Sequence, residues 1–110
     1  MKPSTLAKFQ KMKEDYAKAL PDKMAEIRKL YDQILEYRNI DSHNADLLQE
    51  IYTHIHNLAG SGSSFGFPEI GDWARNFEMI IKNILDRKEI LNSDFEGMND
   101  SIQQIDHLLK

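Results

Sequence analysis

The sequence predicts an all-α fold, an up-down antiparallel four-helix bundle with an additional N-terminal helix. Three observations lead there. Apolar residues recur at spacings of three and four along the chain, the repeat of a helix with one buried face. No stretch sustains the alternation of β-branched residues that a half-buried strand needs. Proline and glycine punctuate the periodic segments at short intervals, so neighbouring helices must run antiparallel. A first helix over about residues 4–19 aligns Leu6, Phe9, Met12 and Tyr16, with Ser4 as its N-cap. Pro21 suits the first turn of a second helix, where its missing N–H costs nothing, and Met24, Ile27, Tyr31, Ile34 and Leu35 follow on one face before the pattern fades near Asn39.

Asp41 or Ser42 can cap a third helix carrying Leu47, Leu48, Ile51, Ile55 and Leu58. The segment Gly60-Ser61-Gly62-Ser63-Ser64 has the composition of a linker, and each glycine inside a helix costs about 1 kcal/mol relative to alanine. Because Ile55, Leu58, Gly62 and Phe65 keep helical spacing, the helix is expected to continue if packing offsets that loss. Gly66 then supplies a stop and Pro68 a start for a fourth helix that buries Ile70, Trp73, Ala74, Phe77, Ile81, Ile84 and Leu85. Ser93-Asp94-Phe95-Glu96 reads as a capping box opening the last helix, with Phe95, Met98, Ile102, Ile105 and Leu109 as its stripe. Such stripes can be buried only against one another, with the first helix packed across one end of the bundle.

At 110 residues the chain fits one domain, residues 1–110 with a core over about 20–109, since little surface is left for a second core. Its 41% hydrophobic and 29% charged composition is that of a globular protein and too apolar for a disordered one. The absence of cysteine removes disulfides and thiolate metal sites and fits a reducing compartment. With no apolar run of membrane length and no apolar signal core after Met1, the expected location is cytoplasmic, without a membrane partner. Residues 1–40 carry nine basic against six acidic side chains, and residues 41–110 five against twelve. A balance of +3 against −7 speaks against a nucleic-acid partner, with a local basic patch on the first two helices left open, and Lys8, Lys11, Lys13 and Lys18 read as a solvated helix face. A monomer is expected because the stripes can be satisfied within one chain, although bundles can also be shared between two.

The inventory of nucleophiles is short. There is no cysteine, no Gly-x-Ser-x-Gly elbow and no glycine-rich phosphate loop with its lysine, which speaks against an autonomous hydrolase or nucleotide-using enzyme. His54 and His56 lie roughly 200° apart on a helical wheel and cannot chelate one metal from one helix face, so no metal site is expected. With the apolar stripe centred between Leu58 and Gly62, His56 lies roughly 140° away on the solvent face, and Gly60, Ser63 and Tyr52 lie on that outer side of the helix with it. His54, roughly 60° from the centre, is expected to be packed or hydrogen-bonded at the core boundary. Gly60 faces away from the bundle, so close approach by another molecule explains it better than helix packing does; Gly62 faces the core and suits packing.

The run His56-Asn57-Leu58-Ala59-Gly60-Ser61-Gly62-Ser63-Ser64-Phe65-Gly66 resembles the motif of the histidine-phosphotransfer (HPt) family of multistep phosphorelays: histidine, any residue, leucine, lysine, glycine, then a further glycine. Ala74-Arg75-Asn76-Phe77-Glu78 resembles the family's next-helix segment, and Leu20-Pro21 leading into a helix is similar to its opening. The likeness spans about residues 17–108, with its specific part between His56 and Glu78. It implies that His56 accepts a phosphoryl group from an aspartyl phosphate on a response-regulator receiver domain and passes it to another receiver. Partners are then a receiver domain, a hybrid histidine kinase, or both. The chain would be a phosphoryl carrier and not an enzyme, with no cofactor of its own, because the Mg²⁺ and carboxylates that assist in-line transfer belong to the receiver. Protonation of the imidazole in acid should slow acceptance. Asn57, Gly60 and Ser63 would support His56, with Gly60 admitting the receiver.

Ala59 departs from the pattern, since the family usually has lysine there. Arg75 or Lys82 is expected to compensate, because residues 75, 78 and 82 share a polar face, with Lys82 the better placed by similarity to related domains. Two other readings stay open: an HPt-like module that docks a receiver or kinase without being phosphorylated, and a plain helical interaction bundle.

Overall fold

A computed structural model describes residues 2–110 and contains four helices joined by short connections: α1 (Pro3–Tyr37), α2 (Ser42–Ser64), α3 (Pro68–Arg87) and α4 (Asn92–Leu108). No strand occurs among the described residues. Consecutive helices pack together and α1 closes the bundle against α4. One contiguous core runs through it, with Leu20, Ile27 and Ile34 of α1, Leu48, Ile51 and Ile55 of α2, Ala74, Phe77, Ile81 and Ile84 of α3, and Met98 and Ile105 of α4 almost fully withdrawn from solvent.

The separate N-terminal helix expected from the sequence does not exist. Residues 3–37 form one rod with Pro21 inside it. An interior proline removes a hydrogen bond and costs about 3 kcal/mol. Leu20 and Met24 on either side of it are buried, and each such side chain contributes about 1.5–3 kcal/mol, enough to hold the helix through the proline. The two apolar stripes also stay in phase across Pro21, so one helix presents both. At 1.5 Å per residue the 35 residues of α1 span about 52 Å, which equals the molecule's longest dimension of 52 Å.

The N-terminal part of α1 is therefore not laid across the bundle. Leu6, Phe9 and Met12 remain 46%, 43% and 54% exposed. What holds this segment is aromatic: Phe9 and Tyr16 stack on Phe65 at 6.3 and 4.8 Å, and Tyr16 also meets Phe67 at 5.9 Å.

Two helix starts also differ from expectation. α1 begins at Pro3 with Lys2 as its N-cap, so Ser4 is already inside the helix. α4 begins at Asn92, and the residue before it, Leu91, is the cap; Asp94 reaches back to accept the Leu91 N–H at 2.8 Å and pairs with Arg87. The carboxylate at the third helical position thus does the capping, and Ser93 lies two residues past the N-cap Leu91. At α2 the cap is Asp41, whose Oδ1 accepts the Asn44 N–H at 2.8 Å.

Candidate functional site

α2 continues through its glycines because α3 crosses it there. A Cβ on Gly62 would lie 3.1 Å from the Gly71 nitrogen and 3.2 Å from the Phe67 carbonyl oxygen, and one on Gly71 would lie 3.0 Å from Ser63 Oγ and 3.2 Å from the Ala59 carbonyl oxygen. The two backbones come too close for side chains, which repays the poor helix propensity of Gly62. Gly66, at φ +86°, then turns the chain out of the helix. From the contact between Gly62 and Gly71 the antiparallel register carries on. Ala59 comes level with Arg75, His56 with Glu78, and Tyr52 with Lys82.

At the second of these levels His56 Nδ1 lies 3.0 Å from Glu78 Oε1. Tyr52 donates its hydroxyl to the same oxygen at 3.2 Å, and its ring stacks on the imidazole at 5.9 Å and 11°. A carboxylate oxygen accepts, so this contact is a hydrogen bond in the tautomer that carries hydrogen on Nδ1 and has its lone pair on Nε2. The His56 side chain is 63% exposed and Glu78 only 20%, which makes the carboxylate the fixed partner and the ring the accessible one. Burial raises the Tyr52 phenol above its ordinary value of 10.0, and the Glu78 charge and hydrogen bond raise it further. Tyr52 therefore remains a donor throughout the neutral range.

Beside the imidazole lies an open hollow of about 380 Å³ lined by His56, Ala59, Gly60, Arg75, Glu78 and Met79. Gly60 is exposed, and a Cβ there would meet nothing within 4 Å. No packing demand inside the chain calls for glycine at that position. Ala59 is 3% exposed, at the edge of the helix crossing. Lys82 lines a separate hollow with Gln49, Tyr52, Leu85 and Asp86, on the far side of Tyr52 from Arg75. Neither Arg75 nor Lys82 forms an ion pair among the described residues.

Asn57 is exposed, and its carbonyl accepts from Ser61 Oγ at 2.7 Å. Ser63 is exposed on the α3 side, near Gly71 and away from the imidazole contacts. His54 is exposed, contrary to the expected boundary position. The buried arc of α2 includes Leu48, Ile55 and Ala59, which moves its centre toward α3 by about 20° on the wheel and leaves His54 outside it. Sequence reasoning noted Tyr52 as a neighbour of His56 and Glu78 as part of a polar face, but missed that both converge on one hydrogen-bonded cluster. The sequence signalled only the tyrosine one turn before His56; the level of Glu78 depends on the register between α2 and α3.

Neither a curated protein nor a solved structure matches the chain significantly. The family model described as Hpt domain matches residues 11–108, nearly the full length. The matched range contains both the exposed His56 and its partner Glu78. By the extent of that match the chain belongs to the Hpt domain family, the phosphotransfer modules of two-component signalling.

Proposed function

We propose that His56 is the phospho-accepting residue of a phosphorelay, taking a phosphoryl group from the aspartyl phosphate of a response-regulator receiver and returning it to another receiver aspartate. The observation that carries this reading is the carboxylate on Nδ1 of an otherwise exposed imidazole. Nε2 attacks phosphorus in line; the N–P bond forms, the bond from phosphorus to the aspartate oxygen breaks, and its electron pair returns to the receiver carboxylate. The proton on Nδ1 stays in place, and the positive charge that develops on the ring lies against Glu78. Return transfer reverses each step. Magnesium on the receiver would supply charge neutralisation at the phosphoryl oxygens, so this chain contributes position more than catalysis.

Arg75 takes the part of the family lysine missing at Ala59. It is level with Ala59 and lines the His56 hollow, and its guanidinium can hold two phosphoryl oxygens at once. Lys82 faces the other hollow and contributes less. Gly60 leaves the approach open.

The test is transfer from a panel of phosphorylated receivers to the wild type and to His56→Gln, with the acid-labile label located by mass spectrometry. Label on His56 in the wild type and none in the variant supports the proposal. No label from any receiver, with binding retained, refutes it in favour of a docking module.

A further inference from the structure

The side chain of His56 is largely in water, and an exposed histidine on a helix ordinarily samples several rotamers and both tautomers. Here two groups of one residue restrain it. The Tyr52 ring lies nearly parallel to the imidazole, at 11°, and the Tyr52 hydroxyl reaches the same Glu78 oxygen that binds Nδ1. Tyr52 is four residues before His56, the spacing that puts one side chain over the next on a helix, and it is half-buried against the core. The ring and the carboxylate are thus bound to a single anchor. We propose that Tyr52 is a positioning residue that acts through Glu78, holding the carboxylate where it keeps hydrogen on Nδ1 and the attacking lone pair on Nε2. This rests on the reading of His56 as phospho-acceptor, and Tyr52 itself touches neither phosphate nor receiver in it.

The phenol must stay protonated to donate, and desolvation together with the Glu78 charge keeps it so. Loss of the hydroxyl frees Glu78 to rotate while leaving the aromatic stack intact, so Tyr52→Phe separates the two contributions. One hydrogen bond of ordinary net strength corresponds to a loss of about two- to tenfold in transfer rate.

The experiment compares wild type, Tyr52→Phe, Glu78→Ala and the double variant in the full chain. It reads the ¹⁵N shifts of the His56 ring nitrogens, the transfer rate from a phosphorylated receiver, and Tm. The expected result for Tyr52→Phe is a shift from the Nδ1–H form toward a mixture of tautomers, with the rate reduced about two- to tenfold and Tm little changed. In the Glu78→Ala background the same substitution should be silent in both readouts. Wild-type ring shifts in Tyr52→Phe, or an equal loss with and without Glu78, would overturn the proposal. Should no receiver phosphorylate His56, the ring shifts of the unphosphorylated protein still decide whether Tyr52 sets the tautomer.

Discussion

Replacing Gly60 with alanine should make the protein more stable and worse at its task. A Cβ at this position meets nothing within 4 Å, so the substitution adds no clash inside the chain. It removes the helix-interior penalty of glycine, about 1 kcal/mol. With an unfolding entropy of about 2.1 cal/mol/K per residue over 110 residues, that gain raises Tm by about 4 °C. The methyl group also extends the surface by about 1.5 Å, one carbon–carbon bond, one turn from His56 in the hollow to which, in the proposed function, a receiver brings its aspartyl phosphate. A misplacement of about 1 Å can cost about 100-fold in a reaction that depends on alignment. Thermal unfolding followed by circular dichroism and single-turnover transfer from a phosphorylated receiver measure both effects on one sample. A rise in Tm with a fall in transfer of tenfold or more is expected. Unchanged transfer would show that the partner does not approach over Gly60, and a lower Tm would show that an added methyl group meets a neighbour there.

Gly62→Ala should do the opposite, losing about 1–3 kcal/mol in urea unfolding, because its Cβ would press on the Gly71 backbone at 3.1 Å. Pro21→Ala should stabilise the protein by up to about 3 kcal/mol with no loss of helical signal, since α1 runs through this position; destabilisation would mean that Pro21 marks a real break. Tyr31 is buried and donates its hydroxyl to the Phe95 carbonyl at 3.2 Å, and burial raises its phenol above 10.0 against the opposing pull of Arg38. The native state therefore holds this proton at a pH where the unfolded chain releases it, so the contribution is full below about 10 and is lost as pH rises toward the native value. Tyr31→Phe should flatten the fall of Tm in alkali. Arg75→Ala should slow transfer more than Lys82→Ala does, because only Arg75 shares the hollow with His56; equal effects would remove the distinction.

Within the bundle the buried faces were readable from spacing, since Ile27, Ile51, Phe77 and Ile102 each have apolar neighbours three or four residues away that share their burial, whereas Leu6, Phe9 and Met12 keep the same spacing and stay exposed. What spacing could not show was continuity. Pro21 is a legitimate helix start by local rules, and only the depth at which Leu20 and Met24 are buried decides that the helix passes through it. The start of α4 failed for a similar reason, as Ser93 is a good N-cap by local preference, yet Leu91 holds that position and Asp94 caps it from the third helical residue. At the site, the exposure of His56 and the outward aspect of Gly60 were legible because both follow from one helical wheel. The hydrogen bonds from Tyr52 and His56 to Glu78 were not, because they depend on the register between α2 and α3. That register is set by the approach of Gly62 to Gly71, a contact between residues without side chains that leaves no apolar pattern to read.

The central claim is that Glu78 reserves Nδ1 of His56 and leaves Nε2 to take the phosphoryl group. It is tested most directly by ¹⁵N–³¹P coupling in the phosphorylated protein labelled at histidine. The account predicts coupling to Nε2 of His56, with the Nδ1 hydrogen retained; phosphate on Nδ1, or on His43, His54 or His107, would contradict it.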